Sequence, residues 1–269
     1  MNDDPGFLKH AARKLLDHRT RCIPNPVLPP SERLADFALA YAIQDAADTI
    51  LRAECGYTSI GYKIAASNQV ARTHLGIDTA FHGRLYRQMV SASPAEVPFV
   101  ADFFKAYEPE IGLLIGRDLD PAHAPFDAAM IEAATAAVLP AIELVGSWFV
   151  PWTGAGAPNL IADNAAFAHW IPGEPIHDWS GLDLLDAPIT LHVNGEPRGT
   201  GTGRNVDGGA FGATAWLANT LAAKGYALRA GDYVTTGIVM PPVAVAAGDH
   251  AIADFGPLGR IELRVTPTS

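Results

Sequence analysis

Residues 106–116 read AYEPEIGLLIG, and this stretch decides how the rest of the chain is interpreted. Two glutamates, Glu108 and Glu110, flank Pro109 and lead directly into an apolar run with the length of a buried strand. Side chains two residues apart in a strand lie on the same face, so both carboxylates can converge on one hard cation. Proline has no backbone donor, which places the pair at a sheet edge, a strand start or a bulge. The alternative is a solvent-exposed strand face, so a third ligand is needed to decide.

Glu143 is the candidate for that third ligand. It is the one charged residue in the strand-like run PAIELVG, where burying a carboxylate without a partner would be unfavourable. Three carboxylates with no nearby His or Cys suit Mg²⁺ or Mn²⁺, which prefer oxygen ligands. The sequence therefore predicts a metal site made of Glu108, Glu110 and Glu143, unless Glu143 faces solvent on an amphipathic strand.

Lys63 is likewise a single charge in an apolar strand-like segment, SIGYKIAAS. A partly desolvated lysine beside a dication would have a lowered pKa and could transfer protons near neutrality. The alternative is a lysine that extends from a sheet edge into solvent.

Apolar periodicity predicts helices at the N-terminus and a strand-rich region after it. Helical spacing covers residues 7–18 and 34–53, and Ser31 is a candidate N-cap for the second helix. Two further helices are predicted at 126–139 and 211–225. Strands are predicted over 58–67, 98–104, 110–116, 141–149, 189–196, 232–239, 250–256 and 260–265.

The strands alternate irregularly with few helices, and Asn194-Gly195 is a hairpin signal. This pattern predicts an α+β fold with a mixed, rolled or sandwiched sheet instead of a regular nucleotide-binding series. We expect an N-terminal helical region at 1–56 and one strand-rich structural unit at 57–269.

Composition excludes several classes of protein. The 269 residues are 49% hydrophobic and 18% charged, and the net charge of −10 argues against a general nucleic-acid binder. The two cysteines, Cys22 and Cys55, form neither a disulfide framework nor a zinc ribbon. The N-terminus lacks the apolar core of a signal peptide, and no stretch has membrane-spanning length, so we expect a soluble cytoplasmic protein.

Three other motifs are candidate binding elements. The glycine-rich segment at 199–212 lacks the Walker lysine and a complete dinucleotide fingerprint, which favours a substrate-enclosing turn. Thr235-Thr236-Gly237 could present hydroxyls and amides to a carboxylate. Asp163, in LIADNAAF, is either a pocket residue or an ordinary helix cap. No GxSxG motif is present, so a serine triad is not assembled.

Taken in order, the motifs resemble the fumarylacetoacetate hydrolase superfamily. The resemblance is closest to its branch of 2-keto-4-pentenoate hydratases and related decarboxylases of aromatic meta-cleavage pathways, and it covers almost the whole chain. The segments that carry it are GYKIAAS (61–67), LGIDTAFHGRLY (75–86), EPEIGLLIGRDL (108–119), PAIELVGSWF (140–149), LIADNAAF (160–167), WLANTLAAKGYALRAGDYVTTG (216–237) and AGDHAIADFGPLGRIEL (247–263).

The resemblance implies a fumarylacetoacetate hydrolase-like β-roll and a divalent metal, Mg²⁺ or Mn²⁺, that binds the carboxylate and 2-oxo oxygens of a pyruvoyl-type substrate. The metal ligands that it implies are Glu108, Glu110 and Glu143. It implies proton transfer by Lys63 and Asp78, and a contact from Thr236 to the substrate carboxylate.

Two departures from the family pattern fall near the implied pocket. Trp148 stands where many hydratases of the branch have arginine, and residues 207–211 differ from the usual loop. Loss of an arginine weakens the case for a dicarboxylate substrate. Trp148 could line a more apolar pocket together with Trp152, Phe167 and Trp170, or these aromatics could be core residues.

The resemblance therefore implies a metal-dependent hydratase that converts a 2-hydroxy-2,4-dienoate into a 4-hydroxy-2-oxo acid. The alternatives are decarboxylation of a 2-oxo-3-enedioate, hydrolysis of an acylpyruvate, or a non-catalytic partner of a pathway enzyme. Hydrolysis ranks lower because His74 and His82 flank Asp78 without a clear glutamate partner. The resemblance also implies a homo-oligomer, dimer or larger, and an association with another pathway enzyme.

Overall fold

The structure is a computed structural model that describes residues 4–21, 25–26, 34 and 36–268. The α-helices of this part of the chain are α1 (Pro5–Arg21), α2 (Phe37–Glu54), α3 (Gln69–Leu75), α4 (Ala128–Ala134), α5 (Ala157–Ala162) and α6 (Gly209–Ala222).

The strands form two large mixed sheets and one short parallel pair within the described residues. The strands are β1 (Asn25–Pro26), β2 (Ser59–Ala65), β3 (Phe81–Tyr86), β4 (Ala95–Pro98), β5 (Phe104–Ile115), β6 (Thr135–Gly146), β7 (Phe149–Val150), β8 (Phe167–Pro172), β9 (Ile189–Val193), β10 (Glu196–Gly201), β11 (Tyr233–Ile238), β12 (Val243–Ala244), β13 (His250–Asp254) and β14 (Arg260–Thr266).

The larger sheet runs in the order β3-β2-β11-β5-β6-β8, with β12 also paired to β5, and it curls into a half-barrel. The second sheet runs in the order β10-β9-β13-β14-β4, and β1 pairs with β7. Because β5 and β6 lie inside the larger sheet, they are buried on both faces and read as long apolar runs. Helices α1 and α2 pack with α5 against this sheet. The predicted α+β fold with a rolled sheet is confirmed, whereas the division at residues 56 and 57 stays a prediction.

Two predicted elements are wrong, for different reasons. The helix predicted over 126–139 ends at Ala134, because residues 135–146 pair with β5 and Pro140 could not continue a helix. Alanine-rich composition favoured helix there, but sheet pairing prevails over propensity. Residues 99–103 of the strand predicted over 98–104 form the connection between β4 and β5, with Asp102 at a positive φ of 61°.

The hairpin predicted from a local turn sequence is confirmed. Asn194 and Gly195 both have positive φ, 56° and 83°, as the predicted hairpin between β9 and β10 requires. Helix α2 begins after Asp36, whose carboxylate accepts a hydrogen bond from the Ala38 amide at 2.8 Å. The predicted cap, Ser31, lies outside the described residues.

Cys55 is an exposed free thiol, and Cys22 falls outside the described ranges. Of the helices that the structure describes, none is both long and apolar enough to cross a bilayer.

His82 on β3 couples the stability of this fold to pH. The imidazole stacks on Tyr41 at 4.6 Å, and neither ring nitrogen has a hydrogen-bond partner among the described residues. Burial, with the charges of Lys224 and Arg84, lowers the pKa of His82 to about 3. In the unfolded chain His82 therefore becomes protonated near pH 6.5, whereas in the folded chain it stays neutral. The free energy of unfolding therefore decreases as pH falls below 6.5.

We expect this one group to remove about 2 kcal/mol of unfolding free energy between pH 7.5 and 5. His82→Phe keeps the ring stack but does not titrate. Denaturant unfolding at both pH values is therefore expected to show a pH dependence smaller by that amount in the variant. Equal pH dependence in the two proteins would contradict this assignment.

Candidate functional site

The three predicted carboxylates lie on one face of the larger sheet. Glu108 on β5 is directly opposite Glu143 on β6, and Glu110 follows two residues along β5. Opposed residues in a sheet project to the same face, as do residues two apart along a strand. Glu110 and Glu143 are 0% exposed, whereas Glu108 is partly exposed.

Lys63 on β2 reaches this carboxylate face from two strands away. Its ammonium nitrogen lies 2.7 Å from Glu143 Oε1 and donates a hydrogen bond to the Ala165 carbonyl at 3.1 Å. The lysine is 2% exposed, so it does not extend into solvent. Two of its three N–H groups are engaged by described residues, which leaves the third for a ligand.

Burial and mutual repulsion dominate the electrostatics of the cluster. Burial raises the pKa of Glu143 to about 7, although Lys63 lowers it. Burial and then the charges of Glu143 and Glu108 hold the pKa of Glu110 well above its usual range. Burial also raises the pKa of Glu108.

The carboxylates themselves raise the pKa of Lys63, whereas the lowered pKa was predicted for a lysine beside a dication. Burial lowers the pKa of Lys63, but the carboxylates of Glu143, Glu108 and Glu110 raise it by more. Its net pKa is therefore above the usual value, because three negative charges outweigh desolvation.

A bulge in β11 secures Glu110. The register between β11 and β5 shifts between Thr235 and Ile238, beside Pro109, in agreement with the bulge that the proline suggested. The shift lets the Gly237 amide donate to Glu110 Oε2 at 3.1 Å. Gly237 has a φ of 108°, and a Cβ there would lie 1.7 Å from Ser67 Oγ, so only glycine fits.

The donor set fits a hard dication. Glu110 Oε1 and Glu143 Oε2 are buried without a hydrogen-bond partner among the described residues. One lysine faces three carboxylates, so two negative charges remain when all are ionised, and a dication would balance them. In the described part of the chain, however, no three His, Cys, Asp or Glu side chains are grouped as a ready-made metal site. Glu143 instead turns toward Lys63, so the predicted ligand set stays a prediction.

The structure distinguishes Thr235 from Thr236. Thr236 donates its hydroxyl hydrogen to the Ile111 carbonyl at 2.7 Å, so it holds β11 to β5 and has no second hydrogen for a substrate. Thr235 is opposite both Lys63 and Gly112, which puts its side chain on the face of Lys63. Its buried hydroxyl has no hydrogen-bond partner among the described residues.

Among the described residues, Asp78 has no hydrogen bond or ion pair that joins it to the carboxylate cluster. It is exposed in the connection between α3 and β3, after Gly76 ends α3 in a left-handed conformation. Its neighbour Thr79 accepts a hydrogen bond from Trp216 at 3.2 Å, so this connection packs on α6. The structure therefore places Asp78 at the surface, beside α6.

Trp148 and Asp163 share a different location. They line a cavity of about 320 Å³ between α1, α2 and the sheet, and its lining includes neither Lys63 nor the three glutamates. Trp148 stacks on Phe103 at 5.0 Å, and Asp163 accepts a hydrogen bond from Arg19 at 2.7 Å. In this cavity Arg19 engages Asp163 and Phe103 packs on Trp148, so the substrate contacts of both residues stay a prediction.

Some residues of the site were not singled out by sequence reasoning. The Ala165 carbonyl acts through the backbone, so no side-chain pattern could reveal it, whereas the Gly237 amide belongs to the Thr235-Thr236-Gly237 motif and donates to the carboxylate of Glu110. Thr235 carried a usable signal in Thr-Thr-Gly, but strand alternation near a bulge cannot be read from sequence. The glycine-rich segment packs beside the site, since the Asp207 amide donates to the Ser67 carbonyl at 3.0 Å.

Comparison with known proteins gives the family. The profile described as Fumarylacetoacetate (FAA) hydrolase C-terminal matches residues 54–266. This chain belongs to the fumarylacetoacetate hydrolase family. Its relatives within the family include 2-keto-4-pentenoate hydratases at 33% identity over most of both chains.

Two curated relatives and one solved structure illustrate the similarity. The 2-keto-4-pentenoate hydratase of Paraburkholderia xenovorans (strain LB400) is 33% identical over 226 residues, 83% of this chain and 82% of the relative. The 2-hydroxyhexa-2,4-dienoate hydratase of Comamonas testosteroni is 33% identical over 203 residues, 74% and 75% of the two chains. The 4-oxalocrotonate decarboxylase of Pseudomonas putida G7, complexed with magnesium and adipate, has a TM-score of 0.90 at 23% identity, covering 96% and 97%. This last similarity concerns the fold.

Proposed function

We propose that the protein is a divalent-metal-dependent hydro-lyase that adds water to a 2-hydroxy-2,4-dienoate to give a 4-hydroxy-2-oxo acid. The observation that carries the proposal is the contact of the Lys63 ammonium with Glu143, on a buried face that also bears Glu108 and Glu110. An ammonium with a free N–H beside a cation-binding face can move protons on a bound 2-oxo acid. The hydratase relatives, similar over most of the chain, support the reaction class.

The metal that we propose is Mg²⁺ or Mn²⁺. All three candidate ligands are carboxylates, and two of them have oxygens that no described residue satisfies. When bound, the cation supplies a Lewis acid that stabilises negative charge on the 2-oxo oxygen. Glu108, Glu110 and Glu143 would hold it, with Glu110 oriented by the Gly237 amide.

The reaction balances as one isomerisation and one addition. In the isomerisation C5 of the dienol gains a proton and the 2-hydroxyl loses one, which yields a 2-oxo-3-enoate with a double bond between C3 and C4. In the addition a water oxygen bonds to C4 and C3 gains a proton. The net change is the gain of one water molecule.

The chain's own residues supply proton transfer and orientation. Lys63 Nζ delivers the proton to C5 and recovers one from the 2-hydroxyl, while Glu143 and the Ala165 carbonyl fix its position. Thr235 donates its free hydroxyl hydrogen to the substrate carboxylate from the same face. This scheme assigns no step to Asp78, which is exposed, and its predicted role in proton transfer stays a prediction.

Decarboxylation of a 2-oxo-3-enedioate is the second candidate reaction, because the solved 4-oxalocrotonate decarboxylase has a similar fold over 96% of this chain. Hydrolysis is disfavoured because neither of the two candidate histidines is placed to activate water. His82 is buried against Tyr41 with a pKa of about 3, and His74 is exposed. Burying a lysine among three carboxylates is unfavourable unless a ligand balances the charges. A protein that only binds a pathway enzyme would not require such a cluster.

The experiment follows 2-hydroxypenta-2,4-dienoate with purified protein and Mg²⁺, recording dienol absorbance and product mass. We expect loss of the dienol and a product heavier by one water. In a parallel sample a dicarboxylate analogue, 2-hydroxymuconate, is supplied. Release of CO₂ from it without gain of water would favour the decarboxylase, and turnover of neither compound would contradict an enzyme of this class.

Glu108→Gln, Glu110→Gln and Glu143→Gln are each expected to weaken Mn²⁺ binding by about tenfold or more, because each removes one anionic oxygen donor. Electron paramagnetic resonance titration of free Mn²⁺ measures this directly. Glu262→Gln, at a half-buried glutamate on β14 that pairs with His250, is the matched control and should bind Mn²⁺ as the wild type does. Unchanged affinity in all three variants would contradict the ligand set.

A further inference from the structure

A left-handed turn between α5 and β8 lies against the catalytic lysine. Asn164, Ala165 and Ala166 are consecutive non-glycine residues with φ values of 54°, 56° and 57°. Each such residue costs about 1–2 kcal/mol relative to right-handed backbone. A turn of this kind persists only where its surroundings hold it, so the contacts that hold it indicate its purpose.

The side chain of Asn164 clamps the turn to β3. Its Oδ1 accepts from the Arg84 amide at 2.7 Å, and its Nδ2 donates to the Arg84 carbonyl at 3.0 Å. Asparagine also tolerates positive φ better than most residues. Arg84 itself is tied to α2, where its guanidinium pairs with Asp45 at 2.6 Å.

Gly83 provides the space for this close approach. A Cβ at Gly83 would lie 2.5 Å from the Asn164 carbonyl oxygen, so no side chain fits between β3 and the turn. Gly83 is also the direct partner of Lys63 in the pairing of β2 with β3. The turn therefore occupies the place beside Lys63 that a side chain on β3 would otherwise fill.

The clamped turn presents the Ala165 carbonyl to Lys63. That carbonyl accepts from Nζ at 3.1 Å, and Glu143 Oε1 lies 2.7 Å from the same nitrogen. A lysine has four side-chain torsions, and two fixed acceptors in different elements confine its ammonium to one location. If the Ala165 carbonyl moved away, Glu143 alone would hold the ammonium, which could then occupy more than one position.

We propose that Asn164 is a positioning residue for Lys63, acting through the Ala165 carbonyl. The inference rests on the proposed function, since it assumes that Lys63 transfers protons. Misplacement of a reacting group by about 1 Å can lower a rate by as much as 10²-fold. Asn164→Ala is therefore expected to lower kcat by about tenfold or more, with KM and the Mn²⁺ dissociation constant near wild type.

The chain supplies a matched control for the clamp. Asn219 on α6 makes the same pair of bonds to Phe126, accepting from its amide at 2.7 Å and donating to its carbonyl at 2.9 Å. Asn219→Ala removes an equivalent clamp away from Lys63. We expect it to lower the melting temperature as Asn164→Ala does, but to leave kcat unchanged.

The decisive experiment is a double-mutant cycle on dienol turnover, with melting temperature and Mn²⁺ affinity recorded for every variant. In a Lys63→Ala background no ammonium remains to be positioned, so Asn164→Ala should have no further effect on kcat. If Asn164→Ala fails to fold, Asn164→Gly, which accepts positive φ without strain, takes its place in the cycle.

The outcomes separate the two proposals. A lowered kcat in Lys63→Ala together with an additive effect of Asn164→Ala overturns the positioning role and leaves the proposed function intact. A loss of kcat in Asn219→Ala equal to that in Asn164→Ala also overturns it. An unchanged kcat in Lys63→Ala overturns the proton-transfer role on which both proposals rest.

Discussion

Lys63→Ala is expected to lower kcat by about 10²–10⁴-fold, the usual contribution of a positioned general acid or base. The reason is geometric: the ammonium is buried among three carboxylates and keeps one N–H for the substrate. Metal affinity should change far less than turnover, because lysine donates no ligand to the cation. Steady-state kinetics and Mn²⁺ titration of the same preparation measure both quantities.

Lys63→Arg is the control that separates charge from proton transfer. Arginine keeps a positive charge beside Glu143 but holds its proton throughout the accessible pH range. We therefore expect Lys63→Arg to stay folded and to bind Mn²⁺, yet to turn over as slowly as Lys63→Ala. Near-normal kcat in the arginine variant would show that only the charge is needed.

Gly237→Ala is expected to destabilise the protein by about 3 kcal/mol or more and to reduce activity by at least about 10²-fold. The added methyl group would lie 1.7 Å from Ser67 Oγ, at a φ of 108° that L residues rarely adopt. Relief of this overlap would move the Gly237 amide away from Glu110, leaving a buried carboxylate without its hydrogen bond. Thermal unfolding and kcat/KM report the two effects separately.

A second substitution tests this explanation. Ser67→Gly removes both the hydroxyl and the Cβ atom that the new methyl group would meet. The double variant Ser67→Gly, Gly237→Ala should recover part of the lost stability, leaving the backbone strain at residue 237. If the double variant is no more stable than Gly237→Ala, the overlap with Ser67 is not the cause.

Much of the site could be predicted because its signals are local. Glu108 and Glu110 share a face through strand alternation alone, and the isolated charges of Glu143 and Lys63 in apolar strands marked both as candidates, with solvent exposure left open as the alternative. The hairpin at Asn194-Gly195 was equally local, since those residues adopt positive φ readily.

The rest depends on contacts between distant parts of the chain. The Lys63 ammonium lies against Glu143, although their strands are separated by two others in the sheet. Asp163 looked like a pocket residue or a cap, but Arg19, 144 positions earlier in the chain, engages it. The register of β11 against β2 decides which threonine faces the lysine, and sequence patterns do not give the register between distant strands. Helix propensity at 135–139 was overruled by pairing with β5.

The most direct test of the central claim is the origin of the oxygen in the product. The wild-type protein would be incubated with 2-hydroxypenta-2,4-dienoate in isotopically labelled water, with Mg²⁺ or with a chelator. Mass spectrometry of the product would then show which carbon atoms carry the labelled oxygen. We predict 4-hydroxy-2-oxopentanoate that carries solvent oxygen on C4, formed with Mg²⁺ and not with the chelator. A product without solvent oxygen at C4, or equal formation of the labelled product in the presence of the chelator, would contradict the account.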